Sequence, residues 1–188
     1  PKGEHIAAYR EALAASGKKD STLFSYLAAV KAFFRWTEAE GQYPDITEGV
    51  PLPRFERTPS RKTLTSAQLK EVMLGIDRGN LKGLRDYAIF ALMLTAGLRT
   101  IEVIRADISD LTVSGGEAVL YIQGKGRDQK TDYVKVSEES EAAIRAYLSA
   151  RGATPMTAPL FASISNRNAG GRMTTRSVSR IVKTRLQA

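Results

Sequence analysis

The amino-acid sequence predicts a mainly α-helical protein with a small antiparallel β-hairpin or sheet, an α+β fold. Apolar residues recur at helical spacing over most of the chain, for example at Leu69, Val72 and Ile76. Two short segments, residues 118–123 and 131–136, are instead typical of strands, and the glycine-containing segment between them predicts a hairpin tip. We therefore expect helices packed around one small β element.

Length and charge narrow the class of protein. The 188 residues are 43% hydrophobic, enough to bury one good core or two small ones. Lys and Arg number 28 against 20 Asp and Glu, a formal net charge of +8, which favours a polyanionic partner such as nucleic acid. A basic but merely solvated surface is the alternative.

Several kinds of site and location are excluded or disfavoured. The chain has no cysteine and His5 is its only histidine, so it has no disulfides, no thiolate metal site and no zinc site built on several histidines. We expect no metal and no cofactor. The longest apolar stretches are too short to cross a bilayer and no signal-peptide pattern begins the sequence, so we expect a cytoplasmic protein.

Residues 1–43 predict a small helical domain. A first helix runs from His5 to Ala15, and a longer one, capped by Ser21, continues towards Gly41. The apolar stripe of the longer helix needs a partner, either in the rest of the chain or in further sequence. Four prolines and several basic residues then predict an extended linker over residues 44–62. A proline-rich surface loop inside one domain is the alternative.

Residues 63–188 predict a second domain of five helices around the hairpin. Thr65 with Gln68 three residues later forms a capping-box pattern. The helix that ends at Gly97 is apolar almost all round, which indicates a buried central helix. The predicted bounds are Thr65 to about Ile76, Leu81 or Gly83 to Gly97, Thr100 to about Ala106, Ser137 to Gly152 and Thr174 to Leu186, with a turn at residues 113–116 before the first strand.

Two features could carry chemistry. Arg99 begins a helix and lies three residues before Glu102, so the carboxylate can orient the guanidinium, and the helix start adds positive potential suited to a phosphate oxygen. The hairpin tip displays Lys125 between two glycines, where it can reach a minor groove and donate a proton. A structural ion pair and a solvated turn are the respective alternatives.

These features recur in a recognisable order. The motifs are Thr63-Leu64-Thr65, Thr95-Ala96-Gly97-Leu98-Arg99 with Glu102, Asp110-Leu111, Gly124-Lys125-Gly126, Leu160-Phe161 and the helix from Met173 to Lys183. The run from Lys62 to Ala188 thereby resembles the catalytic domain of tyrosine recombinases of the phage-integrase and Xer type. Residues Ile6 to Gly41 resemble the last helices of the SAM-like core-binding domain of that family.

The resemblance implies a reaction and roles for residues. In the family a tyrosine attacks a scissile phosphate, leaving a 3′-phosphotyrosyl link and a free 5′-hydroxyl without metal or high-energy cofactor. Arg99 matches the first catalytic arginine, and Glu102 matches the acidic residue that supports the site. Lys125 matches the hairpin lysine that acts as general acid, with Lys130 as the fallback because the tip is slightly long.

The sequence also departs from the family. The resemblance places a His-x-x-Arg box, a later His or Trp and the tyrosine nucleophile downstream, but no tyrosine follows Tyr147 and His5 lies in the other domain. Tyr121 and Tyr133 are interpreted as packing residues. We therefore expect a chain truncated at both ends that binds double-stranded DNA but does not cleave it alone, with self-association on DNA in the complete protein.

Basic side chains on several elements are the predicted DNA contacts. Arg176, Arg180 and Lys183 recur at spacings of four and three, so they form one helical stripe that can track phosphates. A solvated helix face is the alternative. The predicted DNA-binding residues are Lys18, Lys19, Lys31, Arg35, Arg54, Arg57, Arg127, Lys130, Arg172, Arg176 and Arg180.

Three functions remain open at this point. The first is part of an integrase whose chemistry is completed by further sequence. The second is a non-enzymatic DNA-binding or assembly protein with a truncated recombinase fold. The third is an unrelated basic helical module in which the Gly-Leu-Arg sequence arose by chance.

Overall fold

The chain folds into two units, one before Thr63 and one from Thr63 onward, in a computed structural model that describes residues 1–54, 63–124 and 126–187. Each unit has its own group of buried apolar side chains. None of the helices in these described ranges is long and apolar enough to cross a membrane.

The first unit is a pair of helices, α1 (Gly3–Ala15) and α2 (Asp20–Ala39). Leu13, Leu23 and Leu27 form its small core. The prediction of Ser21 as the N-cap is wrong, because α2 begins at Asp20 with Lys19 in the extended N-cap conformation. An acidic residue in the first turn is stabilised by the helix dipole, which explains the earlier start.

The described part of the predicted linker is attached to this helical pair. The Lys31 ammonium donates hydrogen bonds to the backbone carbonyls of Thr47 at 3.1 Å and Val50 at 2.8 Å. Leu52 packs against the core leucines. Residues 44–54 therefore lie on the helices as an irregular segment. The outer face of α2 keeps Tyr26, Phe33 and Trp36 about half exposed.

The second unit contains five α-helices among its described residues, and three of them have their N-caps at the residues predicted as helix starts. Thr65, Ser137 and Thr174 each accept a hydrogen bond from the backbone N–H three residues later. The helices are α3 (Ser66–Leu74), α4 (Leu81–Ala96), α5 (Thr100–Arg105), α6 (Glu138–Arg151) and α7 (Thr175–Arg185), with a 3₁₀ turn at Ile108–Asp110 between α5 and the sheet.

The sheet of this unit has three antiparallel strands in the order β1 (Leu111–Ser114), β2 (Glu117–Ile122) and β3 (Asp132–Lys135). The predicted hairpin is β2–β3. The prediction that residues 113–116 are only a turn is wrong, because Val113 and Ser114 pair with β2 and only Gly115 and Gly116 form the turn. Both glycines have positive φ, as a two-residue hairpin turn requires. Strand β1 was missed because its side chains are mostly exposed and show no clear alternation.

Helix α4 is the centre of the second unit, as predicted. Ile89 and Leu92 on α4 pack with Ile144 on α6 and with Leu160, all fully buried. The phenol oxygen of the buried Tyr147 accepts the backbone N–H of Ala162 at 3.1 Å, which fixes the segment after α6. The core therefore holds α4 in place. The candidate site begins where this helix ends.

Gly83 in the first turn of α4 tests how tightly this helix is held. A Cβ built there would lie 1.5 Å from the backbone carbonyl oxygen of Asp77, so Gly83→Ala forces the backbone to move. We expect a loss of about 1–3 kcal/mol in the free energy of unfolding, although helix propensity alone favours alanine by about 1 kcal/mol. Urea unfolding measures the free energy of unfolding of both proteins, and Lys82→Ala, at the exposed neighbouring position, is the control. A more stable Gly83→Ala protein would contradict the packing described.

Candidate active site

The end of α4 determines where Arg99 lies. Gly97 adopts the left-handed conformation, with φ of 65°, and ends the helix. Leu98 then turns into the core and is buried. Arg99 follows in extended conformation as the N-cap of α5, so its side chain is directed away from the buried Leu98 side.

Glu102 holds Arg99 at two points. One carboxylate oxygen of Glu102 accepts the backbone N–H of Arg99 at 2.7 Å, and the other accepts Nη1 of its guanidinium at 3.0 Å. The Glu102 side chain is 4% exposed, whereas that of Arg99 is 72% exposed. The predicted pair is therefore formed, with the acid buried and the base presented to solvent.

This arrangement leaves the guanidinium free for a second anion. A guanidinium carries five N–H donors in a planar fork that matches the geometry of phosphate oxygens. Among the described residues Glu102 is the only ion-pair partner of Arg99. The carboxylate holds Nη1 of this fork, and most of the guanidinium side chain remains exposed to solvent.

The predicted general acid cannot be placed, because Lys125 lies outside the described residues. On either side of it, the β2–β3 ladder closes at the pair Ile122 and Asp132. Gln123 donates its side-chain N–H to the carbonyl of Arg127 at 2.7 Å, and Arg127 contacts the Asp132 carboxylate at 3.0 Å. Arg127 is thus an exposed residue already paired within its own hairpin.

Four charged residues form what we call the Asp107 cluster: Asp107, Asp110, Lys130 and Arg172. The ammonium of Lys130 lies 2.6 Å from a carboxylate oxygen of Asp107 and also contacts Asp110. The guanidinium of Arg172 bonds the other oxygen of Asp107 and the carbonyl of Ile104 at 2.7 Å. Two of the predicted DNA-binding cations are therefore engaged within the protein.

The cluster shifts the titration of its members. Burial raises the pKa of the Asp107 carboxyl, but hydrogen bonds from Arg172 and Lys130 outweigh it, so this pKa lies below its usual value. Burial lowers the pKa of the Lys130 ammonium, but hydrogen bonds to Asp107 and Asp110 outweigh it, so this pKa is raised. A raised pKa makes Lys130 a weaker proton donor, which opposes its fallback role as general acid.

The remaining predicted DNA contacts fall into three groups. Arg57 lies outside the described residues. Lys31 is bound to backbone carbonyls of its own unit, and the exposed Arg35 lies 3.8 Å from Asp45. The exposed positions for which no ion pair is found in the described ranges are Lys18, Lys19, Arg54, Arg176 and Arg180.

Sequence reasoning missed the buried ionic residues. Arg85 and Asp86 on α4 are almost fully buried, 2.7 Å apart, and Arg85 also donates to the carbonyl of Ala162. Asp86 further lies 3.6 Å from Arg185 on α7. An Arg-Asp pair in the first turns of an apolar helix was the available signal, since charged residues there are rarely buried without partners.

The Asp107 carboxylate provides a test by pH. Because its folded pKa is depressed, it stabilises the fold above the unfolded pKa, and this stability is lost as pH falls below about 4. We expect Asp107→Asn to lower the free energy of unfolding at pH 6 by about 1–3 kcal/mol. This gap in stability between the wild type and the variant should narrow at acid pH. Urea titrations from pH 6 to 3 measure it, with Asp132→Asn in an exposed pair as control. A gap that stays constant with pH would refute the assignment.

Comparisons with known proteins place the second unit in a family. A model of the phage integrase family matches residues 62–188. A tyrosine recombinase of Synechococcus elongatus is 27% identical over 191 aligned positions, covering 100% of this chain and 59% of that protein. The tyrosine recombinase XerC of Pelobacter propionicus is 38% identical over 100 residues, covering 53% of this chain and 30% of its own length. The chain thus spans less than two thirds of these relatives.

Solved structures share the fold. XerH bound to a palindromic difH substrate in a post-cleavage complex has a TM-score of 0.71 at 18% identity, covering 98% of this chain and 53% of that chain. A lambda integrase dimer bound to a COC′ core site has a TM-score of 0.70 at 16% identity, covering 100% of this chain and 64% of that chain. The α+β prediction is confirmed, and an unrelated helical module is excluded. The chain belongs to the phage integrase family of tyrosine recombinases.

Proposed function

We propose that this chain supplies the DNA-facing front half of a tyrosine-recombinase catalytic domain, residues 63–188, with part of the core-binding domain in residues 1–43 and a connection in residues 44–62. Its partner is double-stranded DNA. The complete protein breaks and rejoins DNA strands through a 3′-phosphotyrosine and self-associates on DNA. Lambda integrase, a structural neighbour, is solved as a dimer bound to a COC′ core site and as a tetramer bound to a Holliday junction, which supports this proposal.

The exposed guanidinium of Arg99, held by the buried carboxylate of Glu102, is the observation that carries the proposal. A phosphodiester under attack gathers negative charge on its non-bridging oxygens. A cationic fork fixed in advance stabilises that charge without having to reorganise during the reaction. Arg99 is assigned to bind the scissile phosphate, and Glu102 to orient Arg99.

Lys125 is assigned as the general acid, which protonates the 5′-oxygen that leaves when the tyrosine attacks. The family resemblance carries this assignment. Its flanking glycines permit the close approach of the tip to DNA that a proton transfer requires. Lys125→Ala in a cleavage-competent protein should therefore slow strand cleavage while leaving DNA affinity nearly unchanged.

The 188 residues contain no His-x-x-Arg sequence, and no tyrosine follows Tyr147. We therefore assign the chain DNA binding without strand cleavage. The alternative is a non-enzymatic protein that occupies recombination sites or pairs with full-length copies. A frame that continues beyond Ala188 into a His-x-x-Arg box and a tyrosine would favour the enzyme.

Arg99 can be tested through the salt dependence of binding. Each phosphate neutralised contributes about 0.9 to the slope of log affinity against log salt concentration. We expect Arg99→Ala to reduce this slope by about 0.9 on a duplex of random sequence, measured by fluorescence anisotropy. Lys135→Ala removes an equal charge from an exposed pair with Glu117 and should change the slope less. Equal slopes for Arg99→Ala and the wild type would remove Arg99 from the interface.

Strand cleavage is tested with a nicked suicide duplex, which traps a phosphotyrosyl link as a covalent adduct. We expect the 188-residue chain to shift the duplex in a native gel but to form no adduct that survives denaturation. A cleavage-competent recombinase assayed on its own substrate is the positive control. A denaturation-resistant adduct formed by this chain would show that it carries its own nucleophile.

A further inference from the structure

The Asp107 cluster joins three segments of the second unit that are distant in sequence. Asp107 and Asp110 lie in the turn between α5 and β1, Lys130 lies two residues before β3, and Arg172 lies just before α7. Lys130 bridges both carboxylates, and Arg172 completes the pairing of Asp107. The contacts span up to 65 positions along the chain, so the cluster is a tertiary junction.

The cluster balances its own charge. Two carboxylates face two cations, and their side chains are between 12% and 40% exposed. Two of the three N–H donors of the Lys130 ammonium face the carboxylates, and extending the side chain to a DNA phosphate would draw the ammonium away from both. Asp110, the least exposed member, would then lose its only ion-pair partner in the described residues. Separating a partly buried charge from its partner is costly, so Lys130 is poorly suited to bind DNA directly.

The position of Lys130 gives it influence over the hairpin tip. The β2–β3 ladder ends at Ile122 and Asp132, so the described residues between them, 123, 124 and 126–131, receive no support from strand pairing. Lys130 anchors the β3 side of this segment to Asp107 and Asp110. These two residues directly follow α5, the short helix whose N-cap is Arg99. The tip and Arg99 are therefore connected through one ion-paired lysine and one helix.

We infer that Lys130 is a positioning residue, which holds the β3 side of the hairpin tip, residues 126–131, to the segment after α5 by bridging Asp107 and Asp110. This inference rests on the proposed function, in which the tip carries the general acid. It reassigns Lys130 from a DNA contact, or a reserve acid, to an internal anchor.

Hydrogen exchange without DNA tests the anchor directly. In Lys130→Met we expect backbone amides at the tip end of the β2–β3 ladder to exchange about tenfold faster, since a partly buried ion pair that closes this end is lost. Amides of the β1–β2 ladder should keep their rates and serve as the internal reference. Lys130→Arg, which retains a cation for both carboxylates, should restore the slow rates. Lys135→Met removes the exposed pair with Glu117 on the same sheet and should leave the tip unchanged.

Binding to a random duplex separates the anchor from a phosphate contact. If Lys130 is an internal anchor, Lys130→Met should show the same slope of log affinity against log salt concentration as the wild type. If Lys130 contacts a phosphate, the slope should fall by about 0.9. If Lys130→Met does not fold, Asp110→Asn removes the same bridge from the other side and should show the same local exchange. Any of three results would overturn the inference. The amides at the tip end of the β2–β3 ladder could keep their exchange rates, the amides of both ladders could exchange faster to the same degree, or the salt slope could fall. The exchange result does not depend on DNA, so it stands or fails separately from the proposed function.

Discussion

Glu102 is a buried carboxylate whose two oxygens accept the backbone and the guanidinium of the same residue, Arg99. This is possible because α4 ends at Gly97 and Leu98 is drawn into the core, which leaves Arg99 as the N-cap of α5 and Glu102 one turn further on. A buried carboxylate is stable only when its lone pairs are satisfied. Glu102 therefore fixes Arg99 as much as Arg99 stabilises Glu102.

The basic residues of the chain differ in what they can do, although they look alike in the sequence. Arg99 presents most of its donors to solvent. Lys130 and Arg172 are neutralised by Asp107 and Asp110. A net charge of +8 favours association with polyanions, but a cation already enclosed by carboxylates is less available for a phosphate contact than one whose side chain faces solvent. The number of cations available to a polyanion is thus smaller than the 28 lysines and arginines of the composition.

Most local features were predictable, with the N-cap of α2 as an exception, whereas the long-range ion pairs were not. The caps at Thr65, Ser137 and Thr174, the helix end at Gly97 and the Arg99–Glu102 pair all depend on residues within four positions of each other. The anchor at Lys130 depends on carboxylates 20 and 23 positions away, and the buried Arg85 depends on a carbonyl 77 positions away. No periodicity encodes such pairings, so these cations could only be assigned to solvent or to DNA. Strand β1 was not predicted for a different reason: it is an exposed edge strand without alternation of hydrophobic and polar residues.

The central claim is that Glu102 serves DNA binding through Arg99, and a double-mutant cycle tests it most directly. In Glu102→Gln the amide oxygen can still accept the Arg99 backbone N–H, but no carboxylate remains to orient the guanidinium. Duplex affinity at low salt should fall several-fold in Glu102→Gln and Arg99→Ala, and adding Glu102→Gln to Arg99→Ala should cost nothing more. An equal loss from Glu102→Gln in both backgrounds would mean that the two residues act independently, and would contradict the account.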